Sequence, residues 1–207
     1  MDMPILAAIA ATALSAARWQ GPVVSDDDYP GGALLKQKSA ATMLDMLIDP
    51  QGKVVKCTVS GVVGDAQLAS DMCDIARRKK AIPARDAAGK PAFGFRRDFA
   101  VLTLPGTQQA DEIGNFGPTP DVDIEVASIP AGTVSPVLVN LTIGVDPAGK
   151  TTNCEYGAAA GTARAFAAVA CKQVVQMAFD RLTDPGGAPI SYVRPLTVRF
   201  SLAKAGR

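Results

Sequence analysis

The chain of 207 residues contains no histidine, and this absence removes several kinds of chemistry. Without an imidazole there is no Ser-His-Asp or Cys-His mechanism, and zinc would have only cysteine and carboxylate ligands. Aromatic residues make up 5% of the chain, which argues against a platform for stacking nucleic-acid bases. The net charge of +1 gives no electrostatic reason to expect nucleic acid or an anionic membrane as partner.

The sequence also lacks a glycine-rich phosphate loop and an activated nucleophile. We therefore expect no cofactor, no metal and no enzymatic activity. An envelope enzyme is the alternative, and it would have to use carboxylates. Its best candidates are Asp26, Asp27 and Asp28, which stand in a polar lead-in where solvation or helix capping is the more ordinary role.

A short passage occurs twice in the chain. Residues 49–57 read DPQGKVVKC, and residues 146–154 read DPAGKTTNC. Cys73, downstream of the first copy, is matched by Cys171 downstream of the second, with a single insertion between the copies. An internal repeat of this kind indicates two related units rather than one domain that spans the whole chain.

Each copy predicts the order strand, strand, helix, strand. In the first copy these are a hairpin over residues 42–59, a helix over 66–80 and a strand over 93–104. The second copy repeats the pattern, with its helix at about residues 162–179 and its last strand at about 191–202. The change from a two-residue to a helical apolar period is what separates the elements.

We therefore expect an α+β protein of two tandem small units, each with a three-stranded antiparallel sheet packed on one helix. The expected units span residues 26–105 and 137–204. The segment 106–136 between them contains several prolines and glycines, and it predicts a linker with one short strand at residues 122–127.

The four cysteines supply one pair to each copy, and their spacing is unlike that of a zinc knuckle or a redox Cys-x-x-Cys motif. We predict disulfides between Cys57 and Cys73 and between Cys154 and Cys171, which suit an oxidising compartment. A bridge that closes a loop of this size contributes about 3 kcal/mol. The alternative is a set of free buried cysteines in a cytosolic protein.

Residues 3–17 form a run of apolar or small side chains. The run is short for a bilayer span, and it has the length of a signal-peptide core with small residues at the cleavage site. We expect residues 1–17 to be a cleaved signal peptide and the mature chain to begin near Ala17 or Arg18. The alternatives are an uncleaved anchor in the inner membrane, facing the periplasm, and an alanine-rich buried helix.

A set of short motifs in residues 29–104 resembles the C-terminal domain of the TonB family, periplasmic modules that contact outer-membrane receptors. Residues 137–202 resemble it more faintly. The matching residues are Tyr29 and Pro30, Ala33 and Leu34, the passage 48–54, Ser60 and Gly61, Leu68, the passage 76–78, and Pro83 and Ala84.

The resemblance implies an exported, periplasmic interaction module. In the family, the final strand accepts an extended peptide or protein segment of the cell envelope by strand addition. The corresponding edge here is Phe99, Ala100, Val101, Leu102, Thr103 and Leu104, with residues 198–202 in the second copy. The alternative is a purely structural tandem whose edges pair with each other or are covered by the linker. Membrane contact is expected only through an uncleaved N-terminal segment.

Overall fold

The computed structural model describes residues 14–114, 116–157 and 162–203 of the chain. Within these residues the fold is α+β, as predicted, with four α-helices and an eight-stranded mixed sheet. The first half comprises α1 (Gly31–Leu35), β1 (Ala40–Ile48), β2 (Val54–Gly64), α2 (Ala66–Arg78), β3 (Ala84–Arg85) and β4 (Pro91–Leu102). The remainder comprises α3 (Gln108–Ile113), β5 (Val122–Val126), β6 (Val137–Val145), β7 (Thr151–Tyr156), α4 (Thr162–Val174) and β8 (Tyr192–Leu202).

The strands form one sheet in the order β2-β1-β4-β8-β6-β7, with β3 added to β4 and β5 added to β8. This sheet is larger than the two separate three-stranded sheets that the repeat predicts, and the two-unit description is not confirmed. The difference arises because the last strands of the two halves, β4 and β8, pair in parallel through Phe93–Tyr192 and Gly94–Val193. Each strand thereby satisfies part of an edge that would otherwise be open.

The helices α2 and α4 pack on opposite faces of this sheet. Residues paired across neighbouring strands point to the same face, and successive residues alternate between faces. Val193, the partner of Gly94, belongs to the core beneath α2, whereas Tyr192, the partner of Phe93, belongs to the core beneath α4. The two halves are therefore related by an approximate two-fold rotation about an axis that runs along β4 and β8.

Each core lies between one stripe of its helix and the facing strands. Leu68, Met72 and Ile75 of α2 are buried against Leu44 and Met46 of β1, at the spacing that predicts an amphipathic helix. The second core includes Ala167, Ala170, Val174, Leu141, Ile143, Leu196 and Phe200.

The helix α4 ends earlier than predicted, at Val174 instead of about residue 179. After the helix the chain pairs with the turn between β6 and β7. The Phe179 N–H donates to the Gly149 carbonyl at 2.8 Å, and Ala178 forms an isolated β-bridge with Lys150. The Thr151 hydroxyl also donates to the Val174 carbonyl at 3.3 Å, at the helix C-terminus.

The segment 106–136, predicted as a linker, contains two elements. The strand β5 matches the short strand predicted at residues 122–127. The helix α3 is not predicted, because six residues are too few to show a helical period. Its N-cap Thr107 accepts a hydrogen bond from the Ala110 N–H at 3.2 Å, and Gln109 Oε1 accepts from the Ser39 N–H at 2.9 Å, so the helix is fixed next to β1.

Residues 14–18, at the end of the predicted signal peptide, belong to the fold. Ser15 and Arg85 exchange two main-chain hydrogen bonds of 3.1 and 2.8 Å, and Arg18 and Ile82 exchange two of 3.0 and 2.8 Å. Residues 1–13 of the predicted signal peptide lie outside the described residues.

The side chains of this N-terminal segment are buried as well. Leu14 and Ala17 retain 6% and 0% of their exposed surface and belong to the first core. Gly94 allows this approach, because a Cβ there would lie 2.7 Å from the Cβ of Ala17. The Ala17 carbonyl accepts from Arg96 Nη1 at 2.8 Å. A cleavage at Ala17 or Arg18 would remove these contacts.

Candidate functional site

The edge predicted for partner binding lies along β4. On one side, Gly94–Leu102 pairs with β1 over nine successive residue pairs. On the other side, β4 pairs with β8 only at Phe93 and Gly94. Within the described ranges, no strand pairs with β4 from residue 95 to residue 102 on that second side. Main-chain groups that point away from β1 there are consequently available to an added strand.

The predicted edge residues divide between the two faces of the sheet. Ala100 and Leu102 point toward α2 and keep 3% and 0% of their surface exposed. Phe99 and Val101 point to the opposite face, where Phe99 packs at 5.8 Å from the Phe116 ring and Val101 is 37% exposed. These side chains therefore anchor the strand through the first core and leave Val101 accessible.

The last two predicted edge residues, Thr103 and Leu104, follow the end of β4. The Leu104 N–H donates to the hydroxyl of Ser39 at 2.9 Å, and the Leu104 carbonyl accepts from the Thr107 hydroxyl at 2.9 Å. The available edge in β4 itself is therefore shorter than the predicted six residues and ends at Leu102.

The second predicted edge, residues 198–202 of β8, is covered. Val122–Val126 of β5 pairs with it in parallel over five successive residue pairs, from Val122–Val198 to Val126–Leu202. This covering of an edge by the linker is one of the outcomes that the sequence leaves open. The pairing registers make Val198 of β8 equivalent to Ala100 of β4, since Ala40–Leu102 in the first half matches Val137–Phe200 in the second.

Two ion pairs fix β5 beside β8. Arg199 makes a bidentate pair with Asp123, and Arg194 Nη2 donates to Asp121 Oδ1 at 2.8 Å. The hydrogen bond from Arg199 to Asp123 raises the pKa of that guanidinium. Asp121 Oδ2 also accepts from the Thr197 N–H at 2.8 Å, so a carboxylate ends the strand pairing on this side.

Arg194 is the one buried charged side chain among those described, and it lies between aromatic rings. Its guanidinium carbon is 4.9 Å from the Phe95 ring centroid and 5.3 Å from that of Phe179. Phe95 also packs on Tyr192, where burial raises the pKa of the phenol to about 12. The contacts of Phe95 with Arg194 and Tyr192 hold β4 against β8 next to Gly94 and Val193, where the main-chain pairing of the two strands ends.

A groove of about 350 Å³ lies over the strands β2, β1 and β4, on the face of the sheet opposite α2 and away from the free edge of β4. Phe95 and Arg97 line it from the first half, and Leu182 lines it from the second. Arg97 Nε lies 2.6 Å from Asp45 Oδ1, and this hydrogen bond raises the pKa of Arg97. Charged residues predominate in the lining, which includes Asp45, Lys56, Arg97, Asp180 and Arg181.

Tyr29 and Pro30, two of the residues on which the predicted resemblance rests, lie at the start of α1. Pro30 is the N-cap of this helix, and the Tyr29 hydroxyl donates to the Lys38 carbonyl. Burial raises the pKa of Tyr29 above its ordinary value of 10.0. Tyr29 packs against the first core and so holds the segment before β1 in place. Neither Tyr29 nor Pro30 belongs to the β4 edge.

The aspartates that are the best candidates for an envelope enzyme form a short 3₁₀-helix, Asp26–Asp28. Asp28 accepts from the Ser25 N–H at 2.9 Å and pairs with Lys79 at 2.6 Å. Burial acts to raise the pKa of Asp28, but the hydrogen bonds from Lys79 and Ser25 outweigh it and hold the pKa below its ordinary value of 3.8. Asp28 therefore acts in capping and ion pairing.

Both predicted disulfides are confirmed. Cys57 bonds to Cys73, and Cys154 bonds to Cys171, with Cα atoms 5.7 Å apart in each pair. Each bridge joins the second strand of a hairpin to the following helix. The two disulfides indicate an oxidising compartment.

The comparisons with known proteins identify no relative. No protein-family model matches the chain, and neither a curated protein nor a solved structure matches it. The resemblance to the TonB family accordingly stays a prediction that rests on the motifs alone. In the part of the chain that the structure describes, no helix has the length and apolar character needed to cross a membrane.

Proposed function

We propose that this protein is an exported periplasmic interaction module, similar to the TonB C-terminal domain, that binds an extended peptide or protein segment of the cell envelope. The segment adds to the free edge of β4 at residues 99–102, without any catalytic step. The observation that carries this proposal is the divergence of β4 and β8. Among the described residues, it leaves the side of β4 that faces away from β1 without a paired strand from residue 95 to residue 102. The disulfides support the exported location.

A strand already occupies the equivalent edge of the second half. β5 is an extended segment that pairs in parallel with β8 along Val198–Leu202. Because Ala100 is the equivalent of Val198, this pairing supports strand addition to β4 with the same parallel direction. In this proposal β8 of the second half pairs with the start of β4 and holds it in the sheet. The first half binds the added segment along β4.

The side chains that flank the two edges differ, and this difference bears on the partner. In β8, Arg199 lies opposite Asp123 of β5 and pairs with it. In β4 the equivalent residue is Val101. A segment that binds β4 should therefore carry an uncharged or apolar residue opposite Val101, since an acidic residue there would lose its solvation without gaining an ion pair.

The test is co-purification of the partner from a cell-envelope extract under non-reducing conditions. Val101→Pro obstructs an added strand, because the proline ring has no N–H. Val101→Thr is the matched control, since it changes the side chain and keeps the main-chain donor. We expect Val101→Thr to retain the partner and Val101→Pro to lose it.

Thermal unfolding of the same preparations separates loss of binding from loss of fold. The proposal requires a Val101→Pro protein that melts cooperatively and does not bind. A folded Val101→Pro protein that retains the partner at full strength would exclude this strand. A purely structural tandem predicts instead that proline unfolds the first half and that no partner is removed selectively.

A further inference from the structure

The two disulfides occupy equivalent places in the two halves, yet they differ in burial. Cys57 and Cys73 retain 5% and 3% of their exposed surface and belong to the first core. Cys154 and Cys171 are only half-buried and lie at the margin of the second core. The chain therefore contains one enclosed and one accessible bridge in matching positions.

The segment that precedes β1 accounts for the burial of the disulfide between Cys57 and Cys73. Val23 and Val24 are buried in the same core as Cys57 and Cys73, and Arg77 Nη2 donates to the Cys57 carbonyl at 3.0 Å. The segment that precedes β6 does not cover the second disulfide in this way. Its strand β5 pairs with β8, on the opposite side of the second half from β7.

Around the second bridge the surface is open. Cys154 and Cys171 line a shallow depression of about 600 Å³ together with Lys172, Val175 and Gln176. Lys172 is exposed, and Val175 keeps 48% of its surface exposed. A thiol reagent therefore has access to the bridge without unfolding of the helix.

We propose that Cys154–Cys171 is a site of thiol–disulfide exchange with a dithiol, whereas Cys57–Cys73 is inert in the folded protein. One thiolate of the dithiol attacks one sulfur of the bridge, the S–S bond breaks, and the other cysteine leaves as a thiolate. The second thiolate of the dithiol then attacks the dithiol's other sulfur in the mixed disulfide, that S–S bond breaks, and the protein cysteine leaves as a thiolate. The protein gains two electrons and two protons as two thiols, and the dithiol is oxidised to a disulfide.

Differential alkylation of the full chain tests the proposal. The folded protein is treated with dithiothreitol, quenched with iodoacetamide at intervals, and mapped by mass spectrometry. We expect Cys154 and Cys171 to be labelled at least about ten times faster than Cys57 and Cys73. Equal labelling of the two pairs, or earlier labelling of Cys57 and Cys73, would overturn the proposal.

Reduction by transient unfolding is distinguished by its dependence on urea. Exchange from the folded state keeps a nearly constant rate in urea below the unfolding transition, and a steep rise in the rate would refute a native exchange site. A Cys154→Ser/Cys171→Ser protein should lose the fast phase. If it does not fold, the mapping of the unaltered chain decides alone. A parallel reaction with reduced thioredoxin distinguishes a protein dithiol, which reacts faster than dithiothreitol, from a small one.

Discussion

Four aspartates start turns of the same kind, each with a glycine three residues later. In each turn the carboxylate accepts main-chain N–H bonds, and the glycine has a positive φ between 74° and 87°. The aspartates are Asp49, Asp86, Asp146 and Asp184. At Gly52 and Gly149 the returning chain also docks on the turn, since a Cβ there would lie 2.1 Å from the Ala81 carbonyl and 2.3 Å from that of Phe179. The positive φ accounts for the glycine in all four turns, and the docking excludes a side chain at Gly52 and Gly149 in addition.

Substitution of Gly52 by alanine tests this explanation. Gly106 is a matched control, because it has a φ of +81° but no atom within 4 Å of an added Cβ. We expect Gly106→Ala to lower the free energy of unfolding by about 1–2 kcal/mol from the backbone conformation alone. Gly52→Ala should cost about 3 kcal/mol or more, because the carbonyl must also move. Urea unfolding measures both, and equal costs would contradict a role for docking.

Asp65 is the N-cap of α2 and illustrates how one carboxylate couples the fold to pH. Its Oδ1 accepts from the Leu68 N–H at 3.0 Å, and its Oδ2 lies 3.0 Å from the Lys38 ammonium. The hydrogen bond from Leu68, followed by that from Lys38, lowers the pKa of Asp65 from its ordinary 3.8. The ionised form therefore stabilises the folded state.

We expect Asp65→Ala to lower the free energy of unfolding by about 1 kcal/mol at neutral pH, and Asp65→Asn to cost less because it keeps an acceptor. Because the pKa is lower in the folded state, the contribution is present above pH 3.8 and is lost as the pH falls through the folded-state value. Urea unfolding from about pH 6 to about pH 2 measures it. A difference between wild type and Asp65→Ala that is independent of pH would exclude the ionised cap.

At the scale of elements, the N-terminal segment admits two interpretations. The same apolar, alanine-rich run suits a signal-peptide core and a buried segment, and the sequence alone favours the first. In the structure, residues 14–18 bridge to Ile82 and Arg85 and contribute Leu14 and Ala17 to the first core. The segment adds two isolated antiparallel β-bridges to the first half.

A comparison of two chains, one starting at Leu14 and one at Arg18, tests this role. The shorter chain loses the buried Leu14 side chain and both hydrogen bonds between Ser15 and Arg85. We expect it to be less stable by about 3 kcal/mol, from burial and main-chain hydrogen bonding together. Equal stability of the two chains would remove the segment from the fold and would agree with cleavage near Ala17.

The elements that the sequence predicts are those whose pattern is local. Alternation predicts the hairpin β1–β2, and the spacing of Leu68, Met72 and Ile75 predicts the helix α2. The junction of the two halves has no such pattern, because it consists of two main-chain pairs at Phe93 and Gly94. The pairing of β5 with residues 198–202 of β8 is likewise a non-local main-chain contact. The local sequence pattern therefore predicts the strand β5 but not the strand with which it pairs.

At the scale of the whole molecule, the two-fold relation places α2 and α4 on opposite faces and makes the two last strands neighbours in one sheet. The side of β4 that faces away from β1 and the side of β8 that faces away from β6 are equivalent edges, and both lie at the centre of the sheet. The linker fills one of them with β5 and leaves the edge of β4 from residue 95 to residue 102 without a strand among the described residues. This asymmetry between two related halves is the basis of the proposed function.

Site-specific photo-crosslinking in cells that produce the protein tests this claim most directly. A photoreactive amino acid replaces Val101 in one protein and its equivalent Arg199, which β5 covers, in another. We predict crosslinks from position 101 to an extended segment of a second envelope protein, and from position 199 only to β5 within the chain. Absence of adducts at position 101, or the same intermolecular adducts from both positions, would contradict the account.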